Sequence, residues 1–407
     1  MATMDTADMP ASGLAVGSEE LPWQGSSPAL PMSRSQRAAI RPTYRAAVPA
    51  LIADRAFDVE SAVAALVDDA RAEIARFDAE LSAMFPGAEL APLPTLLLRT
   101  ESASSSQIEN ITAGAKSLAL AEIGVVRHGS NAGLVAANVD AMSRALELAD
   151  DVTPAAILAI HEALMRGQTL ASPGHFRAEQ VWIGGTGLSP HGASFVPPHH
   201  SRVEAAINDL VAFIQRTDLP LLTQVAVAHA QFETIHPFND GNGRTGRALV
   251  HAMLRHGGAT TRTTLPVSAG LLADTEAYFA ALTAYREGDP SPVVERFGEA
   301  AFAAVRNGRT LAADLADIHH QWSSALTARK TAAVWNVLPL LLSQPAVTSA
   351  VLQQVTGLSQ PAADNVLRQL RDAGIVTKAS GAQRHIVWVA NEVTGALDAF
   401  AERARRH

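Results

Sequence analysis

No cysteine occurs among the 407 residues, which excludes disulfides, thiolate metal sites and cysteine nucleophiles together. Long apolar runs are missing too. A stretch such as Leu338-Pro-Leu-Leu-Leu342 falls far short of the roughly 20 residues that cross a bilayer, so no membrane segment is expected. The first 25 residues carry Asp5, Asp8, Glu19 and Glu20 and no basic start ahead of an apolar run. A secretory leader is therefore not expected, and a cytoplasmic location is. Charge is sparse: 18% of residues are charged and the formal net charge is -8, which argues against a surface built throughout to coat nucleic acid. No internal repeat of fixed period is found. Asn110-Ile-Thr112 matches a glycosylation acceptor, but the tripeptide is common by chance and no export signal accompanies it.

What is present is a globular composition. With 48% hydrophobic residues, a chain of this length buries a substantial core in two or three domains. Residues 1–40 are rich in Pro, Ser, Gly and Ala and are expected to form an irregular arm. From Phe57 to Leu81, Val59, Ala62, Val63, Leu66, Ala70 and Ile74 recur every three or four residues, the mark of an amphipathic helix. Further helices are expected at about 129–148, 154–166, 201–216, 220–235, 243–257, 273–287 and 290–316. One stretch breaks the pattern. Between Gln180 and Pro198, two short apolar runs flank a glycine-rich turn, which predicts a hairpin.

Chemistry concentrates in His236-Pro-Phe-Asn-Asp-Gly-Asn-Gly-Arg-Thr-Gly-Arg247. Pro237 stops one helix and another starts near Gly243, so the residues between form a tight loop. Gly241 and Gly243 let a ligand lie against the backbone, and the free N–H groups at the new helix start make an anion site. Arg244 and Arg247 are three apart on that first turn, where a cation is unfavourable unless an anion compensates it. Together they imply bound phosphate. Asp240 is placed to hold magnesium bridging phosphate oxygens, and His236 to accept a proton from an attacking hydroxyl.

The pattern His-Pro-Phe-x-x-Gly-Asn-Gly-Arg-x-x-Arg resembles the signature of Fic-domain proteins. The resemblance implies an all-α, mainly helical bundle with one β-hairpin flap, and transfer of AMP from ATP to a Ser, Thr or Tyr hydroxyl of a target protein. It implies His236 as general base, Asp240 as the Mg2+ ligand, and Gly241, Asn242, Gly243, Arg244, Thr245, Gly246 and Arg247 as the ATP-binding segment, with Phe238 anchoring the loop. Val181, Trp182, Ile183, Gly184 and Gly185 correspond to the target-docking flap, which orients the acceptor by strand addition. Tyr278 and Phe279 resemble a segment beside the adenosine that usually carries two tyrosines. Here the second is phenylalanine, so any hydrogen bond from that hydroxyl is lost. Upstream, Ser105-Ser-Gln-Ile-Glu109-Asn110 matches the family's inhibitory pattern, in which Glu109 pairs with Arg247 and spoils nucleotide placement. The same glutamate is a candidate for activating water to remove AMP.

The implied organisation is an arm at 1–40, an N-terminal helical region with the inhibitory motif at 41–128, a Fic core at 129–325, and a winged helix-turn-helix with a two-strand wing and a C-terminal helix at 326–407. Ser359 to Arg371 occupies the recognition-helix position. Its Arg368 and Arg371 are offset by Asp364 and Asp372, so protein recognition or a homodimer contact is favoured over DNA. His199-His200 and His319-His320 are read as surface histidines, and Trp182 and Trp388 as packing residues. Two alternatives stay open: transfer of another nucleotidyl or phosphoryl group, and a transcription regulator that uses the core as a nucleotide sensor.

Overall fold

The computed structural model describes residues 13–23, 40–84, 92–126, 129–168, 171–185, 188–329, 331–379 and 386–405. The protein is mainly helical, as the sequence predicts. Helices α1 (Ser61–Met84), α2 (Pro92–Ile108), α3 (Ala115–Glu122), α4 (Asn131–Glu147), α5 (Pro154–Leu164), α6 (Val203–Ile214), α7 (Leu221–Ile235) and α8 (Asn242–His256) come first. They are followed by α9 (Val267–Leu272), α10 (Thr275–Glu287), α11 (Ser291–Ala325), α12 (Val334–Ser343), α13 (Ser349–Thr356), α14 (Gln360–Asp372) and α15 (Asn391–Arg403). Most buried apolar side chains described between Ile52 and Ala404 form one core, with Ala119, Ala346 and Val389 in a small separate cluster.

Several starts are set locally. Ser130, Thr153, Asp274 and Thr348 each accept a hydrogen bond from a first-turn amide of the helix that follows, removing one of its orphan donors. The spine is α11, 35 residues long and so about 50 Å, with α1, α7, α9, α10 and α15 packed along it. Helix α7 is enclosed on every side, every residue from Leu222 to Ile235 being buried, so its polar side chains must find partners inside. Gln224 donates to the carbonyls of Phe213, Ile214 and Arg216 at the end of α6. Gln231 accepts from the Tyr285 hydroxyl and donates to the Ala50 carbonyl. These bonds fix the azimuth of the helix that delivers His236.

Within the arm expected to be irregular, Gly17–Pro22 instead forms strand β1, antiparallel to β2 (Thr43–Val48) with Gly17 opposite Val48 and Pro22 opposite Thr43. The partner strand and a bidentate Arg202–Glu19 pair at 2.7 Å supply an order that local composition does not carry. The rest of the arm, residues 1–12 and 24–39, lies outside the described residues. Near the C-terminus, β3 (Ala346–Val347), β5 (Trp388–Val389) and β4 (Thr377–Lys378) pair in that order beside α13 and α14. Where two strands were expected after α14, three short strands pair, one of them Ala346–Val347 ahead of α13; residues 380–385 lie outside the described residues.

Candidate active site

Helix α7 ends at His236, whose φ of 50° and ψ of 61° place a non-glycine residue in the left-handed region. That conformation is costly alone, and its surroundings hold it. The buried Arg177 guanidinium donates to the carbonyls of His236 (2.8 Å), Pro198 (2.6 Å), Glu179 (3.0 Å) and Ile235 (3.4 Å). A cation at the C-terminal end of α7 satisfies its orphan carbonyls and complements its dipole. Burial without a paired carboxylate pushes Arg177 down to about 10, which still leaves it charged at neutral pH.

The loop after His236 is braced twice. Phe238 is fully buried and stacks on the His161 ring at 3.7 Å and 3°. Asn242 accepts from the Phe238 amide and donates to the Phe238 carbonyl, both at 2.8 Å. The resemblance gave Asn242 to phosphate; the structure spends both ends of its side chain on the loop, leaving the backbone amide for a ligand. His161 supports the other flank: the Gly174 amide donates to its Nδ1 at 3.1 Å, so Nε2 carries the proton and donates to the Asp240 carbonyl, also at 3.1 Å. Burial pushes His161 down to about 4, in keeping with a neutral ring. Gly241 has a φ of 76°, and a Cβ there would lie 2.9 Å from the Met165 sulfur, so both conformation and space demand glycine.

The chain then enters α8, whose first amides, from Asn242 to Arg244, have no intrahelical partners. Arg244 and Arg247 leave this turn on one side, and the carboxylate of Glu109 meets both. Arg244 Nε donates to Glu109 Oε2 at 2.9 Å and Arg247 Nη2 to Oε1 at 2.8 Å. Arg247 also donates to the Ser105 hydroxyl at 2.9 Å and the Ser105 carbonyl at 2.8 Å. The guanidinium side chains are 2% and 3% exposed, Glu109 27%. Gly243 faces the same contact, since a Cβ there would collide with the Glu109 carboxylate and the Arg247 guanidinium. Asn110, with φ 63°, makes the left-handed turn that ends this segment.

Thr245 and Gly246 belong to the opposite, packed side of α8. Thr245 is fully buried, and a Cβ on Gly246 would press on Phe232 of α7. Asp240 stands at the mouth, 58% exposed, with Oδ1 accepting from the Gly241 amide at 2.7 Å. Among the described residues no group of three or more metal-ligating side chains gathers. Asp240 Oδ1 also lies 3.7 Å from Arg244 Nη2.

His236 sits over a buried charge cluster. Its Nδ1 is 3.8 Å from Glu233 Oε2, and burial with Arg177 and Arg286 nearby pushes it down to about 3. It is neutral at working pH and able to accept a proton. Glu233, on the same helix one turn earlier, is pushed up to about 7 by burial, against the pull of Arg247 and Arg286. Tyr278 and Phe279 part company. Tyr278 is buried with its hydroxyl 2.7 Å from His229 Nε2, whereas Phe279 is 51% exposed.

The flap is shorter than the expected hairpin. Ile183 and Phe195 form one antiparallel bridge, with Ile183 N donating to Phe195 O and Ser194 N to Ile183 O, both 2.8 Å. Gly184 and Gly185, with φ of 74° and 71°, turn the chain out of the ladder directly after Ile183. Residues 186 and 187 lie outside the described set. The β1–β2 hairpin holds the flap from behind: Ala47 N donates to Val196 O at 2.9 Å, and Trp23 meets Trp182 edge-on at 5.7 Å. Val181 and Trp182 line the same segment, partly buried. His199 and His200, read from the sequence as surface histidines, are partly buried with their rings 4.0 Å apart, His199 preceding the short 3-10 turn His200–Arg202.

Sequence reasoning missed Arg177, His161, Glu233 and a third contact of α2. Glu101, fully buried, accepts from the Ser268 amide at 2.9 Å and from the Ser268 hydroxyl, and lies 2.8 Å from His251 Nε2. Glu101, Ser105 and Glu109 thus form a stripe at four-residue spacing that faces Arg244, Arg247 and His251 of α8. The spacing from Glu109 back to Glu101 was the available signal.

Residues 151–254, from α5 to α8, match the Fic/DOC family. A protein adenylyltransferase Fic of Aedes aegypti is 32% identical over 112 residues, covering 27% of this chain and 21% of that one. A probable protein adenylyltransferase of Aquifex aeolicus is 34% identical over 108 residues, 26% of this chain and 31% of that one. The chain thus spans about a fifth to a third of the length of these relatives. A solved Fic family protein from Desulfovibrio desulfuricans superposes with a TM-score of 0.49 at 23% identity, covering 82% of this chain and 97% of that one. With the loop from His236 to Arg247 built as described, residues 151–254 carry the Fic domain that this match identifies.

Proposed function

We propose that this chain is a protein adenylyltransferase that moves AMP from ATP to a hydroxyl of a target protein and is restrained by Glu109. One observation carries the reading: two nearly fully buried arginines on the first turns of α8 share a single carboxylate, next to a histidine kept neutral. Two cations beside a helix N-terminus call for an anion. The triphosphate of ATP is that anion when Glu109 withdraws, and Glu109 stands in for it otherwise.

In the reaction, the acceptor hydroxyl gives its proton to His236 as its oxygen attacks the α-phosphorus. The bond to pyrophosphate breaks, and the amides of Asn242, Gly243 and Arg244 with Arg244 and Arg247 hold the charge that develops. Asp240 would hold magnesium where one binds with the nucleotide, and the metal would supply further neutralisation of the phosphates. Phe279 offers the adenine a ring to pack on. The Val181–Ile183 edge of the flap takes an extended target segment by strand addition, and the module at residues 326–407 serves protein recognition.

The test is a mass measurement on target or self-modified protein after incubation with ATP and magnesium. Glu109→Gly gains one AMP group per acceptor, while the unaltered chain and the Glu109→Gly, His236→Ala double variant gain little. Equal modification by the unaltered chain and Glu109→Gly refutes the restraint. Gain of a phosphoryl or a different nucleotidyl group refutes the assignment of AMP.

A further inference from the structure

We propose that Glu233 is a positioning residue for His236: its carboxylate receives the Nδ1 side of the imidazole, leaves the Nε2 lone pair facing the acceptor hydroxyl, and stabilises the imidazolium once the proton has moved. The proposal rests on the transferase reading for its kinetics, but not for the pairing itself.

The geometry places both groups on one helix end. Glu233 and His236 are one turn apart, with Oε2 and Nδ1 separated by 3.8 Å. His236 Nδ1 and Glu233 Oε1 are each buried with no hydrogen bond closed; the Glu233 backbone carbonyl is the second acceptor beside the imidazole in the resting site, and the unclosed pair costs free energy until the 3.8 Å gap shortens. Contacts to a general base are often long in the resting protein and tighten with substrate bound. Since Nδ1 is the enclosed nitrogen, Nε2 is the one left for the site. During transfer the hydroxyl proton goes to Nε2, the new oxygen–phosphorus bond forms, the bond to pyrophosphate breaks, and the second imidazolium proton stays on Nδ1 against Glu233.

The surroundings of Glu233 fit a carboxylate that is charged when needed. Arg247 from α8 and Arg286 from α10 favour its ionised form, while Glu109 opposes it. Tyr278 is the other titratable group that feels it. Withdrawal of Glu109 removes a repulsive charge, so the event that frees Arg247 also favours the charged form of Glu233. The base and the restraint are thereby coupled through one buried cluster.

The experiment uses the full chain with Glu109→Gly as parent. Adding Glu233→Gln, which keeps size and removes charge, lowers kcat by about 10- to 100-fold, the cost typical of losing an orienting partner, with KM for ATP unchanged. It also abolishes the rise of activity with pH through the titration of Glu233. Glu233→Met, in the unaltered chain, shifts neutral His236 away from the Nδ1–H tautomer seen by ring-nitrogen NMR. Retention of the rate and the acid limb in the Gln variant, or of the Nδ1–H tautomer in the Met variant, overturns the proposal. A parent that transfers nothing sinks the transferase reading instead, and the tautomer comparison still decides the pairing.

Discussion

Replacing Glu109 by Gln should trade stability for ATP affinity, and the sizes follow from the contact. The carboxylate accepts charge-assisted bonds at 2.8 and 2.9 Å from two guanidinium groups that are 3% and 2% exposed. Removing one member of a buried ion pair costs about 3–5 kcal/mol, because a buried charge is left uncompensated. Glu109 itself is 27% exposed, and Gln keeps one acceptor, so water and the amide recover part of this. About 2 kcal/mol of lost stability remains. ATP supplies the missing anion, and ligand at 100 times its Kd stabilises a folded chain by about 2.7 kcal/mol. Denaturant melts with and without ATP and magnesium read both quantities. The variant should be less stable alone and gain more from ATP than the unaltered chain does, with its Kd for ATP lower by about tenfold. Equal stability without nucleotide, or an equal ATP-induced gain, refutes the reasoning that Glu109 and the triphosphate compete for the same two arginines.

Three other outcomes are expected. Glu101→Ala removes a buried carboxylate that joins α2 to Ser268 and His251; it should cost about 2–4 kcal/mol and raise basal transfer by loosening the helix that leads to Glu109, as labelling assays would read. Asn242→Ala cuts both bonds to Phe238 and should lower transfer at least tenfold with a loss of only about 1–3 kcal/mol in a melt, a mismatch that separates loop placement from global stability. The pH dependence of stability should differ between the unaltered chain and Glu233→Gln. Glu233 is raised from 4.5 to about 7, so between these values the folded chain holds a proton that the unfolded chain has released. Its contribution is fully present below pH 4.5, falls as pH rises through that window and levels off above 7. The stability of the unaltered chain relative to Glu233→Gln should fall by a measurable margin across that range in melts at fixed ionic strength.

The site was legible where chemistry and local backbone rules coincide. Pro237 had to end α7, Gly241 had to turn the chain, and two arginines on one turn had to face an anion. The helices from α4 to α11 that carry apolar stripes were legible for the same local reason, although α9, only six residues long, was not. Helix α2 was recognised only by its Ser105–Asn110 motif. Its C-terminal half includes Ser102, Ser104, Ser105 and Ser106, all buried, so the face it packs is polar and leaves no hydrophobic stripe to count. The buried Arg177 serves carbonyls from three separated segments, a role that no local pattern encodes. The same holds for β1, which exists because β2 pairs with it across more than 20 residues. Asn242 shows the opposite limit: the motif marks it as important, and only coordinates show that its side chain supports Phe238.

The central claim is that the segment from His236 to Arg247 transfers the α-phosphoryl end of ATP with its nucleoside. The most direct measurement gives Glu109→Gly parallel samples of ATP labelled at the α- or the γ-phosphate, with magnesium, and follows label on protein. The account predicts stable label from the α-position alone, lost when His236→Ala is added. Label from the γ-position, or α-label that survives the His236 substitution, contradicts it.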